Sequence, residues 1–218
     1  MSPNASAATG PLAVSAGDGG PRSLDDLMSR YARGENAALD ELYRLGAPRV
    51  RGFLTRLCGD LALAEDLTQD AFLRVCSARG TFAAGASALP WMLAIARNAF
   101  RDHVRRENVR RAHREESGLL ARVQSVEILE NVGDRTLIAR QLLGVVQRAL
   151  MKLPVRQREA FVLLRFEGIG LEQAADVLGA TQGAVKILVH RAYTAIREAC
   201  DNDESERAQP TLPSAARS

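Results

Sequence analysis

Apolar residues recur every three or four positions along most of the chain, which is the spacing of one face of an α-helix. These stripes predict helices over 23–33, 36–58, 62–78, 90–114, 135–153, 155–166, 171–178 and 182–199. No convincing strand pattern interrupts them, and no segment repeats another. The pattern therefore predicts an all-α protein.

The predicted helices fall into two groups, separated at 115–134 by a stretch of weak periodicity with glycines and alternating charges. Such a stretch is typical of a linker. We expect two small helical domains, 23–114 and 135–200, joined by this flexible linker, the second being a four-helix domain. The segments 1–22 and 201–218 are rich in small and polar residues, and we expect disordered tails there.

Short polar side chains stand where several helices should begin. Ser23, Asn36 and Thr181 are predicted N-caps, because their side chains can accept a hydrogen bond from a free backbone N–H of the first turn. Glycines at 34 and 59 should end the first two helices.

Composition narrows the class of protein. A hydrophobic content of 46% supports a real core, while the net charge of +3 argues only weakly for nucleic acid. The cysteines, at 58, 76 and 200, form no CxxC pair, so we expect no disulfide framework, metal site or cofactor. Because no signal peptide or membrane-spanning apolar run is visible, we expect a cytoplasmic protein without membrane insertion.

The helix predicted over 90–114 has two unlike faces. One face is apolar and comprises Met92, Leu93, Ala96, Phe100 and Val104. The other carries Trp91, Asn98, Arg101 and Arg105, with Arg97 at its edge. Arginine offers forked donors to phosphates and base edges, which suits a polyanion. A solvated, arginine-rich helix end that complements the helix dipole is the alternative.

A second constellation lies at 171–193, where a short helix, a turn containing Gly179 and a longer helix follow one another. This is the order of a helix-turn-helix, whose second helix enters the major groove of DNA. The outer face of that helix would carry Gln182, Lys186, Val189, His190 and Arg191, after Thr181 at its start. An ordinary corner between two helices is the alternative, which the basic outer face disfavours.

A third constellation is acidic and comprises Asp66, Gln69, Asp70 and Leu73, which share the outer face of the third helix. No histidine or cysteine stands at ligand spacing from the two aspartates, so this pattern does not predict a metal site. A solvated face is one interpretation, and an exposed leucine among acids favours a protein partner instead. We find no nucleophile motif, P-loop or dinucleotide fingerprint, and we expect no enzyme.

Three stretches together resemble the sigma-70 family of RNA polymerase sigma factors. They read AEDLTQDAFLRV, PWMLAIARNAFRDHVRR and LPVRQREAFVLLRFEGIGLEQAADVLGATQGAVKILVHRA. The linker is too short to contain a middle domain. In this respect the chain is similar to the extracytoplasmic-function (ECF) group of the family. The resemblance implies a promoter-specificity subunit that directs core polymerase to promoters and melts them.

The resemblance also implies roles for the constellations. Asp66, Gln69, Asp70 and Leu73 would dock on the clamp helices of the largest polymerase subunit, with the flap as a further contact. The minus-ten element would meet Phe82, Trp91, Arg97, Asn98, Arg101 and Arg105, with 82–88 as the loop that captures a flipped base. The minus-thirty-five element would meet Thr181, Gln182, Lys186, His190 and Arg191. An anti-sigma factor is an expected partner.

The chain departs from the family pattern on the recognition helix. Ile187 and Leu188 stand where a Ser-Arg pair is usual, and Tyr193 replaces a common arginine. A free-standing helix-turn-helix repressor or activator is the alternative function, and the acidic helix distinguishes the two because a repressor would not need polymerase. An enzyme with a helical metal site is a third class, which the lack of clustered ligands disfavours.

Overall fold

The computed structural model describes residues 23–116 and 137–208. These ranges form eight α-helices, namely α1 (Leu24–Ala32), α2 (Ala38–Cys58), α3 (Leu61–Ala78), α4 (Ala88–Glu116), α5 (Leu137–Lys152), α6 (Val155–Arg165), α7 (Leu171–Leu178) and α8 (Gln182–Ala208). The described residues contain no strand, so the predicted all-α class is confirmed. The predicted tail 1–22 and nearly all of the predicted linker lie outside the described residues.

The first domain comprises α1 to α4, and side-chain caps fix two of its helix starts. Ser23 Oγ accepts a hydrogen bond from the Asp26 N–H (3.1 Å), as predicted, and Asp60 Oδ1 accepts one from the Leu63 N–H (3.0 Å) at the start of α3. The predicted Asn36 cap is wrong. Ala37 occupies that position without a side-chain bond, because the Asn36 side chain instead accepts a hydrogen bond from Arg79 (2.8 Å).

The core of the first domain is built by the predicted apolar stripes of α3 and α4. Its buried members include Ala64, Leu67, Ala71, Val75, Met92, Leu93, Ala96 and Phe100. Phe53 and Leu54 of α2 are also fully buried in it. Each helix therefore turns its apolar stripe inward and leaves a polar face outside, as the periodicity predicts.

The second domain comprises α5 to α8, and its last two helices form the predicted helix-turn-helix. Gly179 ends α7 in the left-handed region (φ 58°), which a side chain would strain. Thr181 Oγ1 then accepts a hydrogen bond from the Ala184 N–H (3.2 Å), so the predicted N-cap of α8 is confirmed. Ala174 and Val185 are fully buried where the two helices meet.

Helix α8 differs from its prediction in length. It continues to Ala208 and includes the first eight residues of the segment expected to be disordered. No glycine or proline stands between Gly183 and Pro210, so nothing in the backbone chemistry stops the helix at Ala199. The polar composition beyond Ala199 was therefore a poor guide to where α8 ends.

The two domains pack against each other within the described residues. Helix α2 lies against α5 and α6, and α4 lies against α7. Their buried apolar residues form one continuous cluster. This packing places the basic helix α4 beside the helix-turn-helix. None of the helices described is long and apolar enough to cross a membrane.

Candidate nucleic-acid interface

The start of α4 is held by an aromatic pair and an acidic anchor. Phe82 packs edge-on against Trp91, with ring centroids 5.3 Å apart, and is buried. Asp25 Oδ1 accepts a hydrogen bond from the Ala88 N–H (2.6 Å) at the first residue of α4. Trp91 is half-buried, whereas Phe82 is buried, so of the two rings Trp91 is the more accessible.

The basic face of α4 is only partly open. Asn98, Arg101 and Arg105 are exposed, as the face pattern predicts. Arg105 pairs with Asp102 on its own helix. Asp102 also accepts a hydrogen bond from Arg74 (2.9 Å), which lowers the pKa of the Asp102 carboxyl. Arg101 also lies near an acid, because its Nε is 3.8 Å from Oε1 of the buried Glu159. Asn98 is therefore the one of the three that no described ion pair involves.

Arg97, predicted to bind DNA, lies in the contact between the domains instead. Its side chain is 6% exposed, and its Nε lies 3.0 Å from Oε2 of Glu159, which is fully buried. Its Nη1 and Nη2 donate to the carbonyls of Val177 (3.0 Å) and Leu178 (3.4 Å), at the C-terminal end of α7. A positively charged guanidinium is stabilised there because the C-terminal end of a helix is the negative end of its dipole. Arg97 is therefore enclosed by protein in this arrangement.

The outer face of α8 carries most of the predicted readers. Thr181, Gln182, Lys186, His190 and Arg191 are all exposed. Val189 is not part of this face: it is 8% exposed and packs in the core, since it lies one turn after the buried Val185. Gln182, Lys186 and His190 follow one another at four-residue steps, so they lie along one side of the helix.

Two apolar residues of α8 are also exposed, although neither belongs to the outer face that the sequence pattern predicts. Ile187 is 55% exposed and Tyr193 is 54% exposed. Tyr193 also lines a groove of about 360 Å³ together with Leu164, Lys186 and His190. Both positions already stand out in the sequence, because Ile187 and Tyr193 differ from the residues usual in the family.

The acidic face of α3 is linked to α4 through Arg74, which pairs with both Asp70 and Asp102. Leu73 is 69% exposed, and Asp66 and Gln69 are exposed beside it. The Asp70 carboxylate is less available to a binding partner, because it pairs with Arg74 (2.9 Å). The four predicted residues therefore do share one surface, with Asp66 as its open carboxylate.

A groove of about 280 Å³ adjoins this acidic face between α2 and α3. Gln69, Tyr43 and Arg51 are among the residues that line it. Tyr43 belongs to the apolar stripe predicted for α2, yet it is half exposed and packs edge-on against Phe72 at 4.8 Å. An amphipathic ring at the rim of a groove is a common element of protein interfaces.

The cysteines show no sign of reactive chemistry. All three are free thiols and partly buried, and burial raises the pKa of Cys58 to about 11. A raised pKa keeps the thiol protonated and inert. The described residues contain no cluster of three or more His, Cys, Asp or Glu that could hold a metal ion.

These features define an all-helical protein with two domains, a helix-turn-helix and separate basic and acidic faces. Comparison with known protein families shows to which of them the chain belongs. The model of sigma-70 region 2 matches 42–110, and the model of sigma-70 region 4 matches 143–196. The chain belongs to the sigma-70 family.

Similar proteins agree on the group within the family. The RNA polymerase sigma factor CarQ of Myxococcus xanthus is 36% identical, over 84% of this chain and all of that protein. The ECF RNA polymerase sigma factor SigF of Caulobacter vibrioides is 32% identical, over 80% of this chain and 92% of that protein. The chain is an RNA polymerase sigma factor of the ECF type.

Solved structures show the same fold. The sigma factor RpoE of Bartonella quintana, solved in complex with the anti-sigma factor NepR, superposes with a TM-score of 0.62 at 26% identity, over 74% of this chain and 96% of that one. CnrH, in complex with the cytosolic domain of CnrY, has a TM-score of 0.61 at 23% identity, over 82% of this chain and 97% of that one.

Proposed function

We propose that this sigma factor uses three separate faces to bring core RNA polymerase to promoters. The acidic face of α3 binds polymerase, the basic face of α4 binds the minus-ten element, and the outer face of α8 reads the minus-thirty-five element. The observation that carries the proposal is the polar outer face of α8, which stays exposed within a helix-turn-helix whose inner face is core.

On α8, each exposed side chain suits a particular part of DNA. Gln182 can bind adenine through two hydrogen bonds, and Lys186 can donate to guanine O6 and N7. Arg191 suits a phosphate, and His190 lies on the same face. Thr181 is occupied as the N-cap, so its role is to orient the helix start.

On α4, promoter melting requires that unpaired bases be held once they leave the duplex. Stacking of a base on an aromatic ring contributes on the order of 1–3 kcal/mol, and the exposed part of Trp91 can supply it. Phe82 packs edge-on against the Trp91 ring and so helps to hold it in place. Asn98, Arg101 and Arg105 can contact the separated strand, and their phosphate contacts should weaken as salt rises.

On α3, Leu73 offers an apolar contact, while Asp66 and Gln69 surround it with polar groups. A partner surface with basic residues around an apolar pocket would complement it. We propose that the clamp helices of polymerase form that surface, that the flap contacts the second domain, and that an anti-sigma factor competes for these faces. The protein would act in the cytoplasm, where polymerase and the chromosome are, without catalysis of its own.

Run-off transcription with core polymerase on genomic fragments tests the proposal. We expect start sites that depend on this chain, and their absence would refute it. Asp66→Arg should abolish these transcripts because it reverses the open carboxylate, whereas Asp40→Arg, the same change at an exposed position of α2, should keep them. A free-standing repressor would instead bind its DNA without polymerase and tolerate Asp66→Arg.

A further inference from the structure

The segment between α3 and α4 is buried at its two ends and exposed in the middle. Phe82 is 8% exposed and Ala88 is fully buried, whereas the tip at 83–85 is exposed. The tip reads Ala-Ala-Gly, so it presents no side chain larger than a methyl group. The family resemblance assigns 82–88 to the capture of a flipped base, and we call these residues the capture loop.

The tip can meet a base only through its main chain and its methyl groups. The Ala86 N–H donates to the Ala83 carbonyl (3.1 Å), whereas no hydrogen bond within the described part of the chain uses the N–H of Ala84 or Gly85. Gly85 has a φ of 78°, a left-handed value that a side chain would strain. Main-chain donors lie wherever the backbone conformation puts them, so the loop can select one base only if its backbone is held.

Asp25 of α1 holds the end of the capture loop that joins α4. Its Oδ1 accepts a hydrogen bond from the Ala88 N–H at 2.6 Å, although the two residues are 63 positions apart. That N–H belongs to the first turn of α4 and has no acceptor within the helix. A carboxylate is also favourable there, because the N-terminal end of a helix is the positive end of its dipole. Asp25 therefore fixes the point at which the loop ends.

Arg79 holds the other end, in the single 3₁₀ turn that leads into the capture loop. Its Nη1 donates to Asn36 Oδ1 at 2.8 Å, and its guanidinium lies 5.2 Å from the centroid of the Tyr31 ring. The Arg79 carbonyl accepts a hydrogen bond from the Phe82 N–H (3.2 Å), so the position of Arg79 directly sets that of the loop. Tyr31 lies on α1 and Asn36 in the turn after it. Both ends of the loop are thus held by the same part of the first domain.

We propose that Asp25 and Arg79 are positioning residues for promoter recognition. They hold the two ends of the capture loop so that its main-chain groups accept one particular base of the minus-ten element. The inference deepens the proposed function and rests on its minus-ten contact. Neither residue belongs to the faces assigned to polymerase or to DNA, and both act through the loop.

Loss of one anchor should loosen the loop without unfolding the domain. Helix α1 is held independently, because Leu27 and Met28 are fully buried in the core. Hydrogen exchange over 82–88, measured by mass spectrometry on the free chain, should therefore be faster in Asp25→Ala than in Asp26→Ala. The second variant is the matched control, since it removes the same charge from the next residue, which is also exposed. Circular dichroism checks that both variants are folded.

Base preference then tests the role in promoter recognition. Run-off transcription by the full chain with core polymerase is measured on promoters randomised at each minus-ten position. Asp25→Ala should lower the preference at one position about fivefold, since a hydrogen bond to a neutral group contributes about that factor. Preferences in the minus-thirty-five element should stay unchanged, and Asp26→Ala should match the wild type. Asp25→Asn should restore most of the preference, because its amide oxygen can still accept from the Ala88 N–H.

A purely structural role predicts a different result, namely equal loss of transcription from every promoter. That outcome would overturn the inference, as would base preferences in Asp25→Ala that equal those of Asp26→Ala. If Asp25→Ala does not fold, Asn36→Ala takes its place. This change removes the acceptor of Arg79, while Ala37 rather than Asn36 occupies the cap position of α2.

The proposed function fails in a distinguishable way. A wild type that yields no sigma-dependent transcripts would refute it and would remove the role of the capture loop in base selection with it. A wild type that transcribes with clear base preferences, which the variants keep, would overturn only the positioning role of Asp25 and Arg79.

Discussion

Ile187 is an exposed aliphatic residue on the helix that we propose reads the minus-thirty-five element. Its aliphatic side chain is exposed on α8, one turn after Gly183. A Cβ at Gly183 would meet nothing closer than Thr181 Oγ1 at 4.0 Å, so the space before Ile187 is open. In the major groove the one apolar base feature is the methyl group of thymine.

We therefore expect a thymine of the minus-thirty-five element to contact Ile187. Replacing that thymine by uracil, which removes only the methyl group, should lower transcription about fourfold in the wild type, since one buried methyl contributes ~0.8 kcal/mol. The Ile187→Ser variant should transcribe equally from the thymine and the uracil promoters. Run-off assays on promoters with single uracil substitutions give the measurement, and equal use of uracil and thymine by the wild type at every position would contradict the prediction.

Arg158 acts at the same scale on stability. Its guanidinium donates to the carbonyls of Met151 and Leu153, each at 3.1 Å, and to that of Leu57 across the domain contact. A lysine cannot serve three carbonyls with this geometry.

Arg158→Lys should lower the free energy of unfolding by about 2 kcal/mol, because buried acceptors lose charged donors. Arg156→Lys on the exposed side of the same helix should change it by less than about 0.5 kcal/mol. Urea denaturation of both variants supplies the comparison. Equal stability of the two would mean that Arg158 is replaceable.

At the scale of helices, the contact between α2 and the end of α6 should respond to pH. Burial raises the pKa of Glu167, and its effect exceeds the opposing effects of Arg56 and Arg49. Glu167 therefore binds a proton more readily while the two domains are packed together than when they separate and expose it. Through this group, domain separation becomes less favourable as pH falls through the raised pKa, and the effect levels off below the ordinary carboxyl pKa.

We expect the wild type to compact more than Glu167→Gln when pH is lowered from neutral toward the ordinary carboxyl range. The comparison isolates Glu167 because the two chains differ at that residue alone. Solution X-ray scattering curves recorded along a pH series measure it. A wild-type chain that instead opens relative to Glu167→Gln on acidification would show that the sign is wrong.

The helices also show what sequence can predict. The starts at Ser23 and Thr181 follow from local cap chemistry, and the core stripes follow from periodicity. Three predictions were wrong. Tertiary contacts explain two of them, because the Asn36 side chain bonds to Arg79 and Val189 packs in the core. The third is the end of α8, which runs on to Ala208 because no glycine or proline stops it. The assignment of exposed residues to DNA or polymerase remains a prediction from the family resemblance.

The docking of the domains lay beyond sequence reasoning. Arg97 and Glu159 lie in different domains, and neither pattern nor spacing indicates that they meet. Glu159 did leave one signal, since it is an acid at a core-facing position of α6, next to the fully buried Ala160. A charge at such a position requires a partner, but the partner's identity depends on how the domains pack.

At the scale of the whole molecule, the packing of the two domains should tune the affinity for polymerase. If polymerase holds the two domains apart, its apparent affinity is reduced to the fraction of chains in which they are separated. Glu159→Gln removes the counter-ion of the buried Arg97 and so favours separation. This variant should therefore bind core polymerase more tightly than Glu198→Gln, a charge removal at an exposed glutamate of α8. Competition binding with labelled chain measures this, and equal affinities would indicate that polymerase accepts the packed domains.

Helix α2 contributes to the core, the groove and the domain contact at once. Its exposed positions are Asp40, Tyr43, Arg44, Pro48, Arg49 and Arg51. Tyr43, Arg44, Pro48 and Arg51 line the groove, and Arg49 holds Glu167. Asp40 alone of these six takes part in neither surface among the described contacts. Selection should therefore tolerate almost no change along α2, and a saturation mutagenesis screen should find substitutions accepted at Asp40 and rejected at the other five positions.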